Sequence, residues 1–502
     1  MTHHVDFVDL TLRDGQQSLA ATRMTTDQAL RVLPMLNEAG YAAFELWGGA
    51  TLDSCVRFLD EDPWERLDRF YAALGTAQKT RILLRGQNLF AYQPFPDDLV
   101  IAVVQEAVRS GVGIARIFDA LNDWRNLQLA LLATKAYGGK VEAALSYTTS
   151  PVHTTDYFVK LAHKLEYEGA DRIAVKDMAG LLYPTEAFDF FDELKRHLRV
   201  PVTFHSHTTT GVATLNAVIA MYAGIDALDT AITPFAGGPS HPPVEVLIVF
   251  AEEMGIEHGL DKALILRIQQ TLFDIFEELH DTIHLYGKYY HPVSYDDIDR
   301  SVVQQILTHV QRGRKEDIEA ALTLMRELMR DLHYPAYDDT IFKAQIPGGM
   351  LSNLQNQLKQ MQKLDLLDAI TEEIPRVRAD VGYVPLVTPT SQIVGAQATF
   401  NVMMGSSALP SRYQMVSNEF KMLLRGEFGH LPTPANPEVV QQVLGPGESP
   451  LRYRPASYLM PVLEDEYDLP FIKTRRDLLL HLMLKQPADE FLKRKYGILN
   501  GN

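Results

Sequence analysis

The sequence predicts an α/β chain, a (β/α)8 TIM barrel followed by a mainly helical second domain, and three features carry that prediction. Eight short β-rich runs recur between the N-terminus and about Ile232, each ending near a polar residue. Amphipathic helical stretches fall between the runs, and after Phe250 the β-rich runs nearly vanish. Strands that alternate with helices must be parallel and joined by right-handed crossovers, and eight such units in roughly 250 residues is the size at which the sheet closes on itself.

Taken in order, the strand candidates are FVDLTL, AAFELWG, RILLRG, IARIFDA, VEAALSYT, RIAVKDM, PVTFHSHT and ALDTAI. Their β-branched and aromatic content suits a pleated surface, and each is bounded by turn residues. Between them, TTDQALRVLPMLNEAG and TTDYFVKLAHKLEYEGA carry apolar residues at helical spacing. Each opens on a Thr cap and closes on Gly or Gly-Ala, the expected start and stop signals. Residues 1–300 are therefore assigned to the barrel and 301–502 to the helical domain, which is expected to complete a funnel over the barrel mouth. Within the second domain KEDIEAALTLMRELMRDLHY and LSNLQNQLKQMQKLDLLDAITEEI have one apolar face each, and GPGESPLRYRP reads as a connector before a helical tail.

Composition excludes several classes of function. With 502 residues, 46% of them hydrophobic, the chain can bury a large core. The single cysteine, Cys55, rules out a disulfide framework, and the N-terminus lacks the regions of a signal peptide, so a cytoplasmic location is expected. No apolar run approaches the roughly 20 residues that span a bilayer. A formal charge of −17 with no concentrated basic surface argues against nucleic acid.

A barrel places its reactive side chains at the C-terminal ends of its strands. Four polar residues there form a plausible ligand set. His205 and His207 stand two apart in PVTFHSHT, a spacing that sends both imidazoles towards the barrel axis together with Thr203, while Val202 and Phe204 point to the helices. Two such histidines are either metal ligands or hydrogen-bonded core residues. Asp14, closing the first strand in LTLRDGQQS, is either an oxygen ligand or the cap of the following turn. Lys176 shares a face with Ala174 and Met178, and either forms a salt bridge or has a lowered proton affinity. A neutral amine there could take up carbon dioxide as a carbamate, an anionic metal ligand.

At these residues the chain resembles the carboxyltransferase domain of biotin-dependent enzymes, shared by pyruvate carboxylase, the transcarboxylase subunit acting on oxaloacetate and the α subunit of oxaloacetate decarboxylase. The resemblance runs through LTLRDGQQSLAATRM, ELWGGATLDSCVRFLDEDPWERL, LLRGQNLFAY, RIFDALND, TTSPVHT, VKDMAGLL, FHSHTTTG, IPGGMLSNL and PLVTPTSQIVGAQATFNVM, in family order over most of the chain. It implies a divalent metal (zinc, manganese or cobalt) held by Asp14, His205, His207 and a carbamylated Lys176.

The resemblance also implies substrate roles. Arg85 would hold a pyruvate- or oxaloacetate-like 2-oxo acid and offset enolate charge; an Arg ending a barrel strand fits a carboxylate clamp, or a structural pair with an Asp. Gln17 would hydrogen-bond the keto acid, Asp53 and Tyr92 would shape the biotin and substrate pocket, and Arg13 would either touch the substrate or pair within the barrel. Ser352, in GGMLSNL, would pass a proton between biotin and pyruvate, although locally a Ser after Gly-Gly and before a helix is also a good N-cap. The chain has no Met-Lys-Met acceptor motif, so biotin is expected on a separate carrier protein. A biotin carboxylase or a membrane decarboxylase subunit is a further expected partner, and a homodimer the expected assembly.

Two segments depart from the family pattern. One is an extra stretch between about Tyr289 and Tyr337; the other is ITPFAGGPSHPP after the eighth strand, where relatives carry a Ser- and Met-rich loop. The rival readings are a metal-dependent acyl-CoA condensing enzyme or lyase of the isopropylmalate synthase kind, and a non-catalytic assembly subunit. The first shares the Arg-Asp and the HxH but leaves LLRGQN, EDPWERL and IPGGMLSNL unexplained.

Overall fold

The computed structural model describes residues 4–498 except 284, 286, 346–353, 356, 406–411 and 464–466. All eight expected runs form strands: β1 (Asp6–Asp9), β2 (Ala43–Trp47), β3 (Thr80–Leu84), β4 (Ile114–Phe118), β5 (Lys140–Ser146), β6 (Arg172–Asp177), β7 (Val202–Ser206) and β8 (Ala227–Thr230). Each pairs in parallel with the next, and β1 pairs with β8 from Asp6↔Ala227 to Asp9↔Thr230, closing the ring. Helical turns lie between the strands, as the capping signals predict. Thr154 accepts a hydrogen bond from the Tyr157 amide to start Thr155–Tyr167. In TTDQALRVLPMLNEAG the chain forms two helices, Thr26–Leu30 and Leu33–Glu38, because Pro34 has no N–H to continue one.

The first strand is shorter than its apolar run. Asp9 accepts from the Thr11 hydroxyl at 2.6 Å, and the amides of Arg13 and Gly15 both donate to the Leu10 carbonyl. The chain therefore coils over Thr11–Gly15, and Asp14 stands on that coil rather than on the strand itself.

Strand parity sorts the layers. Phe204, on the outer face of β7, packs edge-on against Phe191 at 4.9 Å between centroids, inside the main apolar core. The barrel interior is different: besides an apolar cluster of Phe118, Ala144 and Ala174, it holds a buried ionic lattice. Arg81 donates to Glu45, Glu142 and Asp229 at 3.0, 3.1 and 2.9 Å. Arg116 donates to Glu142 at 2.7 Å and also grips Asp229, and Arg13 pairs with Glu45.

After β8 the chain is helical among the described residues. Arg300–Arg312 and Lys315–Asp331 form a packed pair from the extra stretch, which leans on the barrel mouth: Arg326 donates to the Thr210 carbonyl at 2.7 Å, and the Tyr334 and Thr233 hydroxyls bond at 2.6 Å. Helix Leu367–Asp380 docks through Arg378, which donates to the Thr149 carbonyl at 2.8 Å and the Thr148 hydroxyl at 2.9 Å. Beside it, Thr390–Met403 crosses over the mouth. The last helices return to the outside of the barrel, where Arg476 pairs with Asp68 and Glu106. Among the described residues no helix is long and apolar enough to cross a membrane.

Candidate metal centre and substrate cavity

Parity along β6 and β7 brings Lys176 beside His205, their strands in register at that pair. The Lys176 amine lies 2.8 Å from His205 Nε2 and 3.9 Å from Asp14 Oδ2. His205 and His207 each bring Nε2 to 3.7 Å from Asp14 Oδ2. Three of the four expected ligands are thus grouped with the fourth, Lys176, against them.

A residue outside that set completes the cluster. His241, in the loop after β8, is fully buried with Nε2 3.2 Å from Asp14 Oδ2, and the donor atoms of Asp14, His205, His207 and His241 all lie within 4.8 Å of one another. It escapes pattern reading because it sits in an aperiodic Gly- and Pro-rich loop; the only signal is a lone His past the eighth strand, where barrel chemistry concentrates.

The three rings are fixed from behind. The Nδ1–H of His205 donates to Asp229 at 2.8 Å, that of His207 to the Pro239 carbonyl at 2.7 Å and that of His241 to the Ser206 carbonyl at 3.0 Å. With Nδ1 committed as donor, each ring turns Nε2 inward, the usual outer-shell arrangement around a metal. Burial holds His207 down to about 3 and His205 well below its ordinary value, so both are neutral. Burial pushes the Asp14 carboxyl up, but the Arg13 guanidinium beside it outweighs that and keeps the group ionised. His241 Nε2 has no hydrogen-bond partner. An anion ringed by inward lone pairs and an orphaned buried nitrogen is a donor set that fits a divalent cation; donors about 2.1 Å from one ion stand roughly 3 to 4 Å apart.

The cluster opens into a cavity of about 620 Å³ whose walls join the barrel to the helical region: Arg13, Gln17, Arg85 and Lys176 on one side, Leu354, Ser391 and Thr399 on the other. Arg85 is anchored by donating to the carbonyls of Phe90 at 2.8 Å and Ala91 at 3.2 Å, and the Tyr92 ring lies 4.9 Å from its guanidinium. Gln17 accepts from Arg13 at 3.2 Å. Arg13 serves both layers, donating to Asp14 at 2.8 Å and pairing with Glu45 of the lattice. Burial brings the Lys176 amine down to about 8. Asp53 does not line this cavity: it pairs with Arg57 at 2.5 Å on the surface, and Tyr92 is exposed. Ser352 lies outside the described residues, between the described parts of the chain at Gln345 and Leu354. A larger groove, about 770 Å³, runs along Leu424–Leu451, but among the described residues His430 and Glu448 are the only ionisable ones lining it, so the chemistry is assigned to the barrel mouth.

Comparison with known proteins shows what the chain as a whole is similar to. Residues 341–500 match the family described as a conserved carboxylase domain, and residues 126–272 match the HMGL-like family. A pyruvate carboxylase subunit of Methanocaldococcus jannaschii is 40% identical over 493 residues, covering 97% of this chain and 78% of that protein. The methylmalonyl-CoA carboxyltransferase 5S subunit of Propionibacterium freudenreichii subsp. shermanii is 36% identical, covering 98% and 88%. The carboxyl transferase domain of Rhizobium etli pyruvate carboxylase, solved with pyruvate and biocytin, superposes with a TM-score of 0.79 at 27% identity, over 99% of this chain and 78% of that one.

Proposed function

The chain belongs to the carboxyltransferase family of biotin-dependent enzymes, and on that premise we propose that it moves a carboxyl group between carboxybiotin on a carrier protein and a pyruvate- or oxaloacetate-like 2-oxo acid. The observation that carries the reading is the convergence of an anion, inward imidazoles, a lysine and an arginine on one cavity walled by both halves of the chain. The conserved carboxylase match covers the helical wall, which favours this over an acyl-CoA lyase sharing only the barrel.

A divalent cation (zinc, manganese or cobalt) would be held by Asp14, His205, His207 and carbamylated Lys176, and would supply Lewis-acid stabilisation of the charge that develops as the enolate forms. Arg85 clamps the acid's carboxylate. Gln17, its carbonyl oxygen turned to Arg13, presents its NH2 to the keto acid. Lys176, its affinity for a proton already lowered, is carbamylated: the neutral amine adds to carbon dioxide and loses a proton, leaving an anionic oxygen donor among the imidazoles. Ser352 relays the proton between the ureido nitrogen of biotin and the methyl carbon of pyruvate. Asp53 and Tyr92 border the path of biotin. Residues 1–300 act as the barrel and 301–502 as its cover, in a cytoplasmic homodimer served by a biotin carrier and by a biotin carboxylase or a membrane decarboxylase subunit.

The test is to measure metal by mass spectrometry on the purified chain and to follow oxaloacetate decarboxylation with free biotin. About one divalent ion per chain and biotin-dependent turnover are expected. An active protein with an empty site, or a loaded one inert towards 2-oxo acids, overturns the reading.

A further inference from the structure

His241 has no part in the proposed carboxyl transfer, yet its surroundings are built as carefully as those of the other two histidines. Its ring is buried, with centroids 4.7 Å from His205 and 4.4 Å from His207. Its Nδ1–H is spent on the Ser206 carbonyl, on the strand that carries His205 and leads into His207. Its Nε2 faces Asp14 Oδ2 across 3.2 Å without a hydrogen-bond partner, and in the neutral ring that is one acceptor facing another. Two buried acceptors at that distance repel unless a cation stands between them or the ring carries a second proton.

The loop that delivers His241 is held on several sides. The Thr208 amide donates to the Ser240 carbonyl at 2.8 Å, the Thr208 hydroxyl to the Gly238 carbonyl at 2.7 Å, and the Gly237 amide to the carbonyl of His241 itself at 2.8 Å. Gly237 (φ +77°) and Gly238 (φ +55°) are in the left-handed region, and a Cβ on either would strike Tyr334 or Pro335. A loop fixed this tightly holds its imidazole ready rather than recruiting it.

We propose that His241 is a third imidazole ligand, so that this chain grips its cation with Asp14, His205, His207 and His241 and retains it without needing the carbamate of Lys176. The inference rests on the metal reading of the barrel mouth. Lys176 then serves chemistry more than retention, while removal of His241 weakens the grip itself.

X-ray absorption on the zinc-loaded wild-type chain counts imidazoles directly, and three are expected, falling to two in His241→Gln. Zinc affinity of the variant should drop by at least the roughly 10- to 100-fold that loss of an outer-shell partner costs. The rise in melting temperature on adding zinc should shrink in parallel, with the metal-free melting temperature as the check on folding. In Lys176→Ala, zinc affinity should stay within about tenfold of wild type. A wild-type count of two, an unchanged affinity in His241→Gln, or a Lys176→Ala chain as empty as Asp14→Ala overturns the proposal; if His241→Gln does not fold, the wild-type count decides. A chain that takes up no zinc, manganese or cobalt instead sinks the metal reading beneath it.

Discussion

Two layers of the barrel interior, a few ångströms apart, treat their polar groups in opposite ways. In the deeper layer Arg81 and Arg116 reach Glu45, Glu142 and Asp229, so that each charge meets its opposite. At the mouth, Asp14 meets imidazoles whose lone pairs point at it, and a buried nitrogen goes without a partner. Both layers carry the cost of desolvating ions; the deeper one recovers it through a closed set of ion pairs, whereas at the mouth Arg13 pairs with Asp14 and the imidazole nitrogen of His241 stays unmatched. An unmatched buried imidazole thus sets the mouth apart from the paired arginines and carboxylates beneath it. Asp229 belongs to both layers, taking guanidiniums from below and His205 Nδ1–H from above.

The comparison breaks if mouth and lattice substitutions behave alike. If Ser352 is the proposed proton relay, Ser352→Ala should lose on the order of 10² to 10⁴ in carboxyl transfer with its fold intact. Ser352→Thr should stay active, and an Ala variant that merely melts earlier would make Ser352 a helix cap.

In the lattice, Arg116→Met should do the reverse and lower stability by about 3–5 kcal/mol, because Asp229 and Glu142 are left as under-compensated buried charges. The denaturant midpoint reads this directly; a variant as stable as wild type would show that Arg81 alone suffices. The same layer sets an acid limit. Burial raises the carboxyls of Glu45, Glu142 and Asp229, but the arginines outweigh it and hold each at about 2, below ordinary values of 4.5 or 3.8. Their contribution is present above about pH 4 and is lost as pH falls towards 2. Midpoints compared between pH 5 and pH 3 should show that loss, and it should be smaller in Arg116→Met.

On the border, Asp229→Asn should weaken metal binding by roughly 10- to 100-fold by loosening His205, with a smaller loss of stability than at Arg116. Unchanged zinc affinity would detach the lattice from the site. The smallest effect belongs to the surface: Asp53→Ala breaks an exposed pair with Arg57 worth at most about 1 kcal/mol. If its rate is also unchanged, Asp53 has no place in the biotin path.

The residues at the mouth were legible to different depths. Strand alternation predicts the inward turn of His205, and of Lys176 beside it in the next strand, because side chains two apart share a face. The same rule applied to Arg81, Arg116, Glu142 and Asp229 points them inward too, but their partners come from other strands and no single run displays the lattice. Asp14 is found at the right end of β1 but on a coil, because Asp9 and Leu10 bend the chain through bonds that no period encodes. His241 was invisible for the same reason: its direction is set by Ser206, Thr208 and the two glycines, all tertiary contacts. The two departures in sequence prove to be one feature, since Tyr334 and Pro335 from the extra stretch press on Gly237 and Gly238.

The origin of the cluster also says something about assembly order. Asp14 follows β1, His205 belongs to β7 and His241 follows β8, so the donors come from the beginning and the end of the ring, on either side of the β1–β8 seam. That seam is the pairing of greatest sequence separation in the barrel and so the one with the largest loop-closure cost. On the proposed metal reading, a cation there would act as a clasp: it would be captured only once the circle has closed, and would then oppose reopening. Amide exchange along β1 and β8 should accordingly slow more on metal loading than exchange along β4 and β5, on the far side of the ring.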